Sequence, residues 1–536
     1  MECISCVQKN IATPLKAWQC KQTPEGLLAH HKIIIIMFTD VTIQEIEEVM
    51  QQAWNAFHAY RKFSLKQRSA FMKAIAVELE NCGDALIQTA MTETNLPEVR
   101  LRGERARTIF QLNSYATACE KGDWLEARID TAIPHKTPPK PDIRKMLVPL
   151  GPVVVFGASN FPFAYSTAGG DTACALAAGC PVIVKAHPAH AETSTIVANA
   201  ILTAADNCNM PKGIFAHVYG AGFETGKALV THPHTKAVGF TGSYSGGKQL
   251  FDWGNQRKEP IPVFAEMGSI NPVFLLPEKM KISASEIATM YAGSITLGAG
   301  QFCTNPGLII GIETDALKTF VHDLGKAIQQ IAPAPMLHEG IVNAYKKNKD
   351  NALLQEDVHL VAESENELWQ SSETLPKLAA LPTIATASGQ AFLNNPVLHQ
   401  EVFGPYSIVI RCKDMNEMIE VAKHLEGQLT STLMATENDI TQNDELVEAV
   451  KNICGRFILN SVPTGVEVCL SMQHGGPFPA STDSRFTSVG ADGIKRFARP
   501  ITFQNWSNEL LPNELKNENS LGIWRSVNDE LTRSAI

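Results

Sequence analysis

The chain has 536 residues, of which 44% are hydrophobic and 19% are charged, and its formal net charge is −9. The length and composition indicate an ordinary soluble globular protein with a large core, and the negative balance argues against a nucleic-acid partner. Its twelve cysteines lack the dense spacing of a disulfide scaffold, so a reducing, cytoplasmic setting is expected.

Residues 1–36 are interpreted as an N-terminal extension, and Met37 is an alternative start of the native chain. The extension lacks the basic start, long apolar core and cleavage site of a secretion signal. Its run "KIIIIM" is much shorter than the roughly 20 apolar residues that span a bilayer. Cys3 and Cys6 have zinc-like spacing, but no second pair lies near them, so no metal site is predicted.

The first predicted elements are helices. In "TDVTIQEIEEVMQQAWNAF", Thr42 and Glu45 have capping-box spacing, and the apolar residues recur on one helical stripe. Further amphipathic helices are predicted over 66–95 and 98–120.

From Lys145 onward, short β-branched runs alternate with helical segments as far as "TKAVGFTG". A second unit with the same alternation is predicted over about 270–470. Strands separated by helices of this length predict a mostly parallel sheet covered on both faces. The polar stretch 122–144 and the tail after about 485 are expected to form an arm that packs on another subunit.

Cys303 lies in "GAGQFCTNPG", among residues that are too small or too polar for a core. Gly298 and Gly300 permit close backbone approach before it, and Pro306 and Gly307 bend the chain after it. A reactive thiol needs access and a route to the thiolate. By itself the loop is as consistent with a surface turn as with a nucleophile.

Two polar residues follow predicted strands. Asn160 in "GASNFP" either makes a turn or donates its amide to a developing oxyanion. Glu266 in "VFAEMGSINP" either faces solvent or is a general base, whose pKa the apolar neighbours Phe264 and Met267 would raise.

Two loops suggest nucleotide contacts. In "GFTGSYSGG", a strand runs into a helix start that could cradle a phosphate, although a glycine-rich hairpin is the alternative. Glu401 in "EVFGPY" is a weak signal by itself. The usual dinucleotide fingerprint is absent because "GAGFETG" has one residue too many, so any nucleotide would be held differently.

The ordered motifs "SNFP", "VIVKAHP", "GFTGS", "AEMGSINP", "GQFCTNPG" and "EVFGP" together resemble the aldehyde dehydrogenase superfamily over roughly residues 40–505. The segments "FGASNFPFAYSTAGGDTACALAAGCPVIVKAHPAH" and "PTGVEVCLSMQHGGPFPASTDSRF" look more specifically like its 2,5-dioxovalerate (α-ketoglutaric semialdehyde) dehydrogenase branch. That branch also includes a fatty-aldehyde dehydrogenase from luminous bacteria.

The resemblance implies an α/β aldehyde dehydrogenase fold with three parts. These are a Rossmann-like NAD(P)-binding domain over 37–121 and 146–268, an α/β catalytic domain over 269–480, and a small β oligomerisation arm with the C-terminal tail over 122–145 and 481–536.

The resemblance also implies a reaction, the oxidation of a small aldehyde to the acid, with 2,5-dioxovalerate giving 2-oxoglutarate. Cys303 would be the nucleophile, and the Asn160 amide and the Cys303 backbone N–H would hold the oxyanion. Glu266 would activate the water that hydrolyses the thioester. A medium- or long-chain fatty aldehyde dehydrogenase, a coenzyme A-acylating enzyme and a catalytically silent binding protein are the alternatives.

Cofactor contacts are implied by the same matching positions. Lys185 would hold the adenosine ribose and Glu401 the nicotinamide ribose, and the remaining cofactor positions are Ser243, Gly242, Gly247 and Phe403. Pro188 stands where NAD-preferring relatives often have glutamate, so NADP is expected to be favoured, with NAD also used. His187, His190 and Lys227 could add donors to a phosphate.

The resemblance further implies a homodimer or homotetramer, and neither a membrane nor a nucleic acid is expected as a partner. Phe163, Phe302 and Phe478 are candidates for an aldehyde funnel, although buried aromatic side chains more often serve as core.

Overall fold

The amino-terminal helix begins at the predicted capping box. In this computed structural model, which describes residues 38–365 and 377–536, the Thr42 Oγ1 accepts a hydrogen bond from the Glu45 N–H. The Glu45 carboxylate in turn accepts one from the Thr42 N–H. The predicted helical region 66–95 is divided into two helices near Gly83, which has a φ of +59°.

The described residues between Thr39 and Ile536, which leave out 366–376, form one compact unit. Its α-helices are, in chain order, α1 Ile43–Tyr60, α2 Leu65–Asn81, α3 Gly83–Thr94, α4 Glu98–Lys121, α5 Gly170–Ala178, α6 Ala191–Asn207, α7 Phe223–Thr231, α8 Tyr244–Asn255, α9 Pro277–Thr296, α10 Asp315–Gln329, α11 Glu339–Leu353, α12 Gly389–Asn394, α13 Met415–His424, α14 Glu437–Thr441 and α15 Asp444–Asn452. Its strands are β1 Arg128–Asp130, β2 Ile143–Pro149, β3 Val153–Phe156, β4 Val182–Lys185, β5 Phe215–Val218, β6 Ala237–Thr241, β7 Val263–Glu266, β8 Val273–Leu275, β9 Leu308–Ile312, β10 Ala334–Pro335, β11 His359–Glu363, β12 Ala379–Ala380, β13 Thr383–Ser388, β14 Tyr406–Cys412, β15 Gln428–Met434, β16 Cys454–Leu459, β17 Ala498–Gln504, β18 Arg525–Val527 and β19 Glu530–Thr532.

The first α/β region is built on a five-stranded, fully parallel sheet with the strand order β5-β4-β3-β6-β7. Both faces of this sheet are covered. Along β3, Val153 and Val155 belong to one hydrophobic core, and Val154 and Phe156 belong to another. This alternation is what a strand buried on both sides requires, because successive side chains point to opposite faces.

The second α/β region has a seven-stranded sheet with the order β11-β13-β14-β9-β8-β15-β16, in which β11 alone runs antiparallel to its neighbour. The predicted strands on both sides of Cys303 are therefore confirmed. A third sheet of five strands, with the order β17-β2-β1-β18-β19, joins residues 128–149 to the C-terminal segment. The domain boundaries drawn from the sequence stay a prediction.

The expectations for the extension 1–36, for Met37 and for Cys3 and Cys6 lie outside the described residues. Within the described part of the chain, no helix combines the length and the apolar character needed to cross a membrane. The cysteines found there are all free thiols.

Candidate active site

The two parallel sheets bring the predicted site residues together. Lys185 and Glu266 end β4 and β7, Asn160 follows β3 by four residues, and Ser243 follows β6 by two, so all four lie at the carboxyl edge of the five-stranded sheet. Open parallel sheets bind their ligands at this edge.

The facing side of the site comes from the amino ends of β8, β9 and β14 in the seven-stranded sheet. Asn271, Cys303 and Glu401 precede these adjacent strands by two, five and five residues. The Asn160 Nδ2 donates to the backbone oxygen of Gln301 at 3.1 Å, which joins the two edges.

The loop that carries Cys303 has an unusual backbone. Gly298, Ala299 and Gly300 have φ values of +57°, +56° and +66°, in the left-handed region that glycine tolerates best. A Cβ atom on Gly300 would lie 2.2 Å from the carbonyl carbon of Gly404, so only glycine fits between the two loops. The predicted close approach is confirmed, and it leaves Cys303 half-buried in a cleft rather than on an open turn.

Cys303 lies beside a histidine that the sequence reasoning missed. The Cys303 Sγ is 3.4 Å from the His474 Nε2, and that same nitrogen is 3.0 Å from the Glu266 Oε1. His474 is fully buried and Glu266 is 3% exposed. One imidazole nitrogen therefore connects the thiol and the carboxylate.

The segment that carries His474 reaches Glu266 by pairing with β7. Ser481 lies opposite Glu266 in an antiparallel bridge, and the Met267 N–H donates to the Ala480 oxygen at 2.8 Å. Seven residues further on, the Ser488 hydroxyl donates to the Glu266 Oε2. His474 and Ser488 follow Cys303 by more than 170 residues, and a histidine before Gly475–Gly476 was the one signal that could have found them.

The prediction that the pKa of Glu266 is raised by apolar neighbours is wrong. Burial does act in that direction, but the His474 imidazole, with hydrogen bonds from His474, Ser488 and Cys303, lowers the pKa below its usual value. The carboxyl group is therefore ionised at neutral pH, as a base requires.

The pKa of the Cys303 thiol is raised well above its usual value by burial and by the nearby Glu266 carboxylate. Arg107 opposes this shift electrostatically. The resting sulfur is therefore protonated near neutral pH, and a base must remove its proton before it can attack a carbonyl carbon.

The candidate oxyanion donors are both present. Asn160 uses one amide hydrogen on the Gln301 oxygen, and its second hydrogen remains for a ligand. Among the described residues, the Cys303 N–H has no hydrogen-bond acceptor. The buried Asn271 fixes this loop, because its Nδ2 donates to the Cys303 and Asn305 oxygens at 2.9 Å each.

The residues present fit a dinucleotide at several positions. Ser243 caps α8, with its Oγ accepting from the Gly246 N–H at 3.3 Å. A Cβ atom on Gly247 would lie 2.6 Å from Met267, so glycine permits the close approach of α8 to the sheet. Lys185, the last residue of β4 in the same sheet, is half-buried, and the described residues offer its amine no hydrogen-bond acceptor.

Glu401 lies on the opposite side of the cleft, and burial raises the pKa of its carboxyl to about 7. Its Oε2 lies so close to Gly268 that a Cβ atom on this glycine would be 2.5 Å from it. Phe403 lines a small cavity of about 20 Å³ beside Glu401 and Ser269. The cofactor assignments of Glu401 and Phe403, like those of Gly242 and Pro188, stay predictions.

Two histidines suggested as extra phosphate donors do not suit that role. His190 is fully buried, with Nδ1 3.0 Å from the Ser194 Oγ and Nε2 2.9 Å from the Ala158 oxygen. Burial lowers the pKa of His187 to about 3, so its ring is neutral. Pro188 itself is exposed at the start of a 3₁₀ turn.

The aromatic residues of the cleft differ in part from those expected. Phe163 is only 2% exposed and belongs to the core. Phe302 packs on Phe161 with ring centroids 5.5 Å apart, and Phe161 packs on Tyr165 at 5.2 Å. Phe478 is 51% exposed. Phe161 and Tyr165 therefore replace Phe163 as candidate lining residues.

Cys303, Glu266 and His474 also place three potential metal-ligating atoms within 4.8 Å of one another. Each of these atoms already contacts another member of the group through a short polar contact. The expectation from the sequence that there is no metal site stays a prediction.

Comparison with known proteins agrees with this architecture. Residues 27–497 match the aldehyde dehydrogenase family. The chain is 46% identical over 482 residues to alpha-ketoglutaric semialdehyde dehydrogenase 2 of Azospirillum brasilense, which covers 90% of each chain. It is 43% identical over 500 residues to the alpha-ketoglutaric semialdehyde dehydrogenase of Acinetobacter baylyi, which covers 93% of each.

A solved structure has the same fold at low sequence identity. The glyceraldehyde-3-phosphate dehydrogenase GapN of Methanocaldococcus jannaschii, complexed with NADP, superposes with a TM-score of 0.72 at 19% identity, over 88% of this chain and 96% of that one. The family match spans most of the chain, and both curated relatives are well above 30% identity over nearly their full length. The chain therefore belongs to the aldehyde dehydrogenase family, whose members are oxidoreductases that act on aldehydes.

Proposed function

We propose that this enzyme oxidises 2,5-dioxovalerate to 2-oxoglutarate with NADP, and with NAD as a second cofactor. The observation that carries the proposal is the contact of one buried imidazole nitrogen with both the Cys303 sulfur and the Glu266 carboxylate. The names of the two curated relatives support the choice of substrate.

In the first half-reaction, the Cys303 sulfur attacks the aldehyde carbon, and its proton passes to the His474 Nε2 at 3.4 Å, which accepts it in the neutral tautomer that carries its hydrogen on Nδ1. The imidazolium formed in this way then donates from Nε2 to the Glu266 carboxylate at 3.0 Å. The resulting thiohemiacetal oxyanion accepts hydrogen bonds from the Asn160 amide and the Cys303 N–H. When bound, NAD(P)⁺ supplies the acceptor for the hydride. Loss of hydride from the thiohemiacetal carbon leaves a thioester on Cys303.

In the second half-reaction, Glu266 takes a proton from water, and the resulting hydroxide attacks the thioester carbon. The Cys303 thiolate leaves, and the carboxylic acid product is released. Two features support this role for Glu266. Its carboxyl group is ionised at neutral pH, and a hydrogen bond from the Ser488 hydroxyl fixes its orientation.

The cofactor would lie along the carboxyl edge of the five-stranded sheet. Lys185 would bind the adenosine ribose, Ser243 the pyrophosphate at the start of α8, and Glu401 the nicotinamide ribose. Gly242 and Gly247 would allow close backbone approach there, and Phe403 would pack beside Glu401.

The proposal also includes the assembly of the enzyme, which would be a homodimer or homotetramer in the cytoplasm. Strand β16 is an edge strand that exposes Phe457 (40%) and Leu459 (53%), and within the described ranges it pairs only with β15. An unpaired edge with apolar side chains is suited to pairing with another subunit.

A panel of aldehydes tests the substrate. The kcat/KM for 2,5-dioxovalerate should exceed the values for succinate semialdehyde, glutaraldehyde and decanal. A higher value for decanal would replace the proposed substrate with a fatty aldehyde.

A further inference from the structure

Three arginine side chains surround the cleft, and the reaction above gives none of them a role. Arg100 and Arg107 lie seven residues apart on α4 and therefore share one face of that helix. Arg456 belongs to β16. Arg107 and Arg456 both interact electrostatically with the Cys303 sulfur, so a substrate attached to Cys303 would lie near these positive charges.

Arg100 already has a structural task. Its Nη2 donates to the backbone oxygen of Asn160 at 2.6 Å. Its guanidinium carbon lies 4.9 Å from the Phe161 ring centroid and 5.1 Å from that of Phe302. The Arg100 side chain thus holds the residue that supplies an oxyanion donor.

Arg456 is also committed to the backbone. Its Nη1 donates to the Gly465 oxygen at 2.8 Å, and its Nη2 donates to the Pro463 oxygen. These bonds fix the chain on its way from β16 towards His474, and they engage both terminal nitrogens of Arg456 with the backbone.

Arg107 is different, because its partner is a hydroxyl that can itself bind a ligand. The Arg107 Nη2 donates to the Tyr165 Oη at 3.3 Å, and its buried Nε has no acceptor among the described residues. Since the Tyr165 oxygen accepts this bond, its own hydrogen remains available. The Tyr165 ring packs beside His474, with centroids 6.3 Å apart.

The charges on this face of α4 do not balance. Glu104 lies between Arg100 and Arg107 and interacts with both. Its Oε1 already accepts hydrogen bonds from the Phe163 and Ala164 N–H groups at 2.9 and 3.0 Å. One carboxylate facing two guanidinium groups leaves a partly buried positive charge, which an anionic ligand group would stabilise.

We propose that Arg107, together with the Tyr165 hydroxyl, binds the carboxylate of the substrate and directs the aldehyde end towards Cys303. This inference rests on the proposed function, since 2,5-dioxovalerate carries its carboxylate at the end opposite the aldehyde. The planar guanidinium can bind a carboxylate through two parallel hydrogen bonds, which fixes the ligand's orientation as well as its charge.

The test compares Arg107→Gln with Arg102→Gln, a control on the same helix whose side chain is 41% exposed and pairs with Asp84 and Glu98. Each variant is assayed with 2,5-dioxovalerate and with pentanal, an uncharged aldehyde of the same carbon number. Arg107→Gln should lower kcat/KM for 2,5-dioxovalerate roughly 100-fold, mainly through KM, and leave pentanal within about threefold.

Arg107→Lys should recover part of the loss, because it restores the charge without the bidentate geometry. Arg102→Gln should match the wild type with both aldehydes. Glutarate, a dicarboxylate without an aldehyde group, should bind more weakly to Arg107→Gln than to the wild type. This binding can be measured without turnover.

Two outcomes would overturn the proposed role of Arg107 and leave the proposed substrate standing. One is an equal loss for both aldehydes, which would indicate a structural effect through Tyr165 and His474. The other is unchanged discrimination and unchanged glutarate binding in Arg107→Gln. A wild type that oxidises pentanal as well as 2,5-dioxovalerate would instead overturn the proposed substrate.

Discussion

The edge proposed to bind the cofactor and the centre proposed to do the chemistry adjoin the same sheet but are built differently. Ser243 and Pro188 are exposed, and Ser243 uses its side chain mainly to cap its own helix. Glu266 is 3% exposed and is contacted by His474 and Ser488, which come from a distant part of the chain. Substitutions at the edge should therefore change preference, whereas substitutions in the centre should abolish steps of the reaction.

The largest effect is expected at the nucleophile. Cys303→Ser should bind NADP as the wild type does but lose at least about 10³-fold in kcat, because a base removes the proton of a serine hydroxyl far less readily than that of a thiol. Fluorescence titration of NADPH and steady-state assays measure the two effects. Cys469→Ser, which changes an exposed cysteine, is the control and should retain full activity. Substantial turnover by Cys303→Ser would place the nucleophile elsewhere.

A smaller loss is expected at the imidazole that links the thiol and the carboxylate. His474→Asn should slow the pre-steady-state burst of NADPH by about 10²-fold, since general acid–base groups contribute roughly 10²–10⁴-fold. The remaining burst rate should rise with pH, because solvent must then remove the proton from a thiol whose pKa is raised by burial and Glu266. A burst with wild-type rate and pH profile would remove His474 from the mechanism.

At the cofactor edge, Pro188→Glu should shift preference towards NAD by about tenfold, because a carboxylate beside Lys185 would repel the 2′-phosphate of NADP. The ratio of kcat/KM for the two cofactors measures this shift. A wild-type preference for NAD above about tenfold, roughly 1.4 kcal/mol, would contradict the expected use of NADP.

The smallest effect concerns pH. Burial raises the pKa of Glu401 to about 7, so its carboxyl group is neutral below that pH and ionised above it. Only the ionised form accepts hydrogen bonds through both oxygens, so the KM for NADP should rise severalfold between pH 8 and pH 6. Glu401→Gln should remove this dependence and keep KM high throughout. A wild-type KM for NADP that stays constant or decreases between pH 8 and pH 6 would exclude this role.

The sequence allowed the strand ends that carry the site residues to be predicted better than the contacts between those residues. The strands before Lys185, Asn160 and Glu266 are short apolar runs with clear ends, and the ends of parallel strands meet at one edge. The glycine before Cys303 was read as a close approach, and its contact with Gly404 confirms that interpretation. Local patterns sufficed because these residues act where their own strands begin or end.

The contacts of Cys303 and Glu266 with His474 and Ser488 could not be predicted because they join distant segments. His474 is a single histidine in a loop without periodicity, and the pairing of residues 480–482 with β7 brings it to the thiol. The contact of His474 with Glu266 also lowers the pKa of the Glu266 carboxyl, whereas the apolar neighbours of Glu266 in the sequence predicted a raised pKa. Arg107 looks like an ordinary surface arginine of an amphipathic helix until Tyr165 and Cys303 are placed beside it.

The most direct test of the account is to trap the intermediate in Glu266→Gln. This variant should release one NADPH per chain in a burst with 2,5-dioxovalerate and then stall, because the thioester lacks its base for hydrolysis. Mass spectrometry of the digested protein should find one 2-oxoglutaryl group per chain, on the peptide that contains Cys303. An acyl group on another residue, or a burst and a steady-state rate that fall together without any acylated Cys303, would contradict the proposed mechanism.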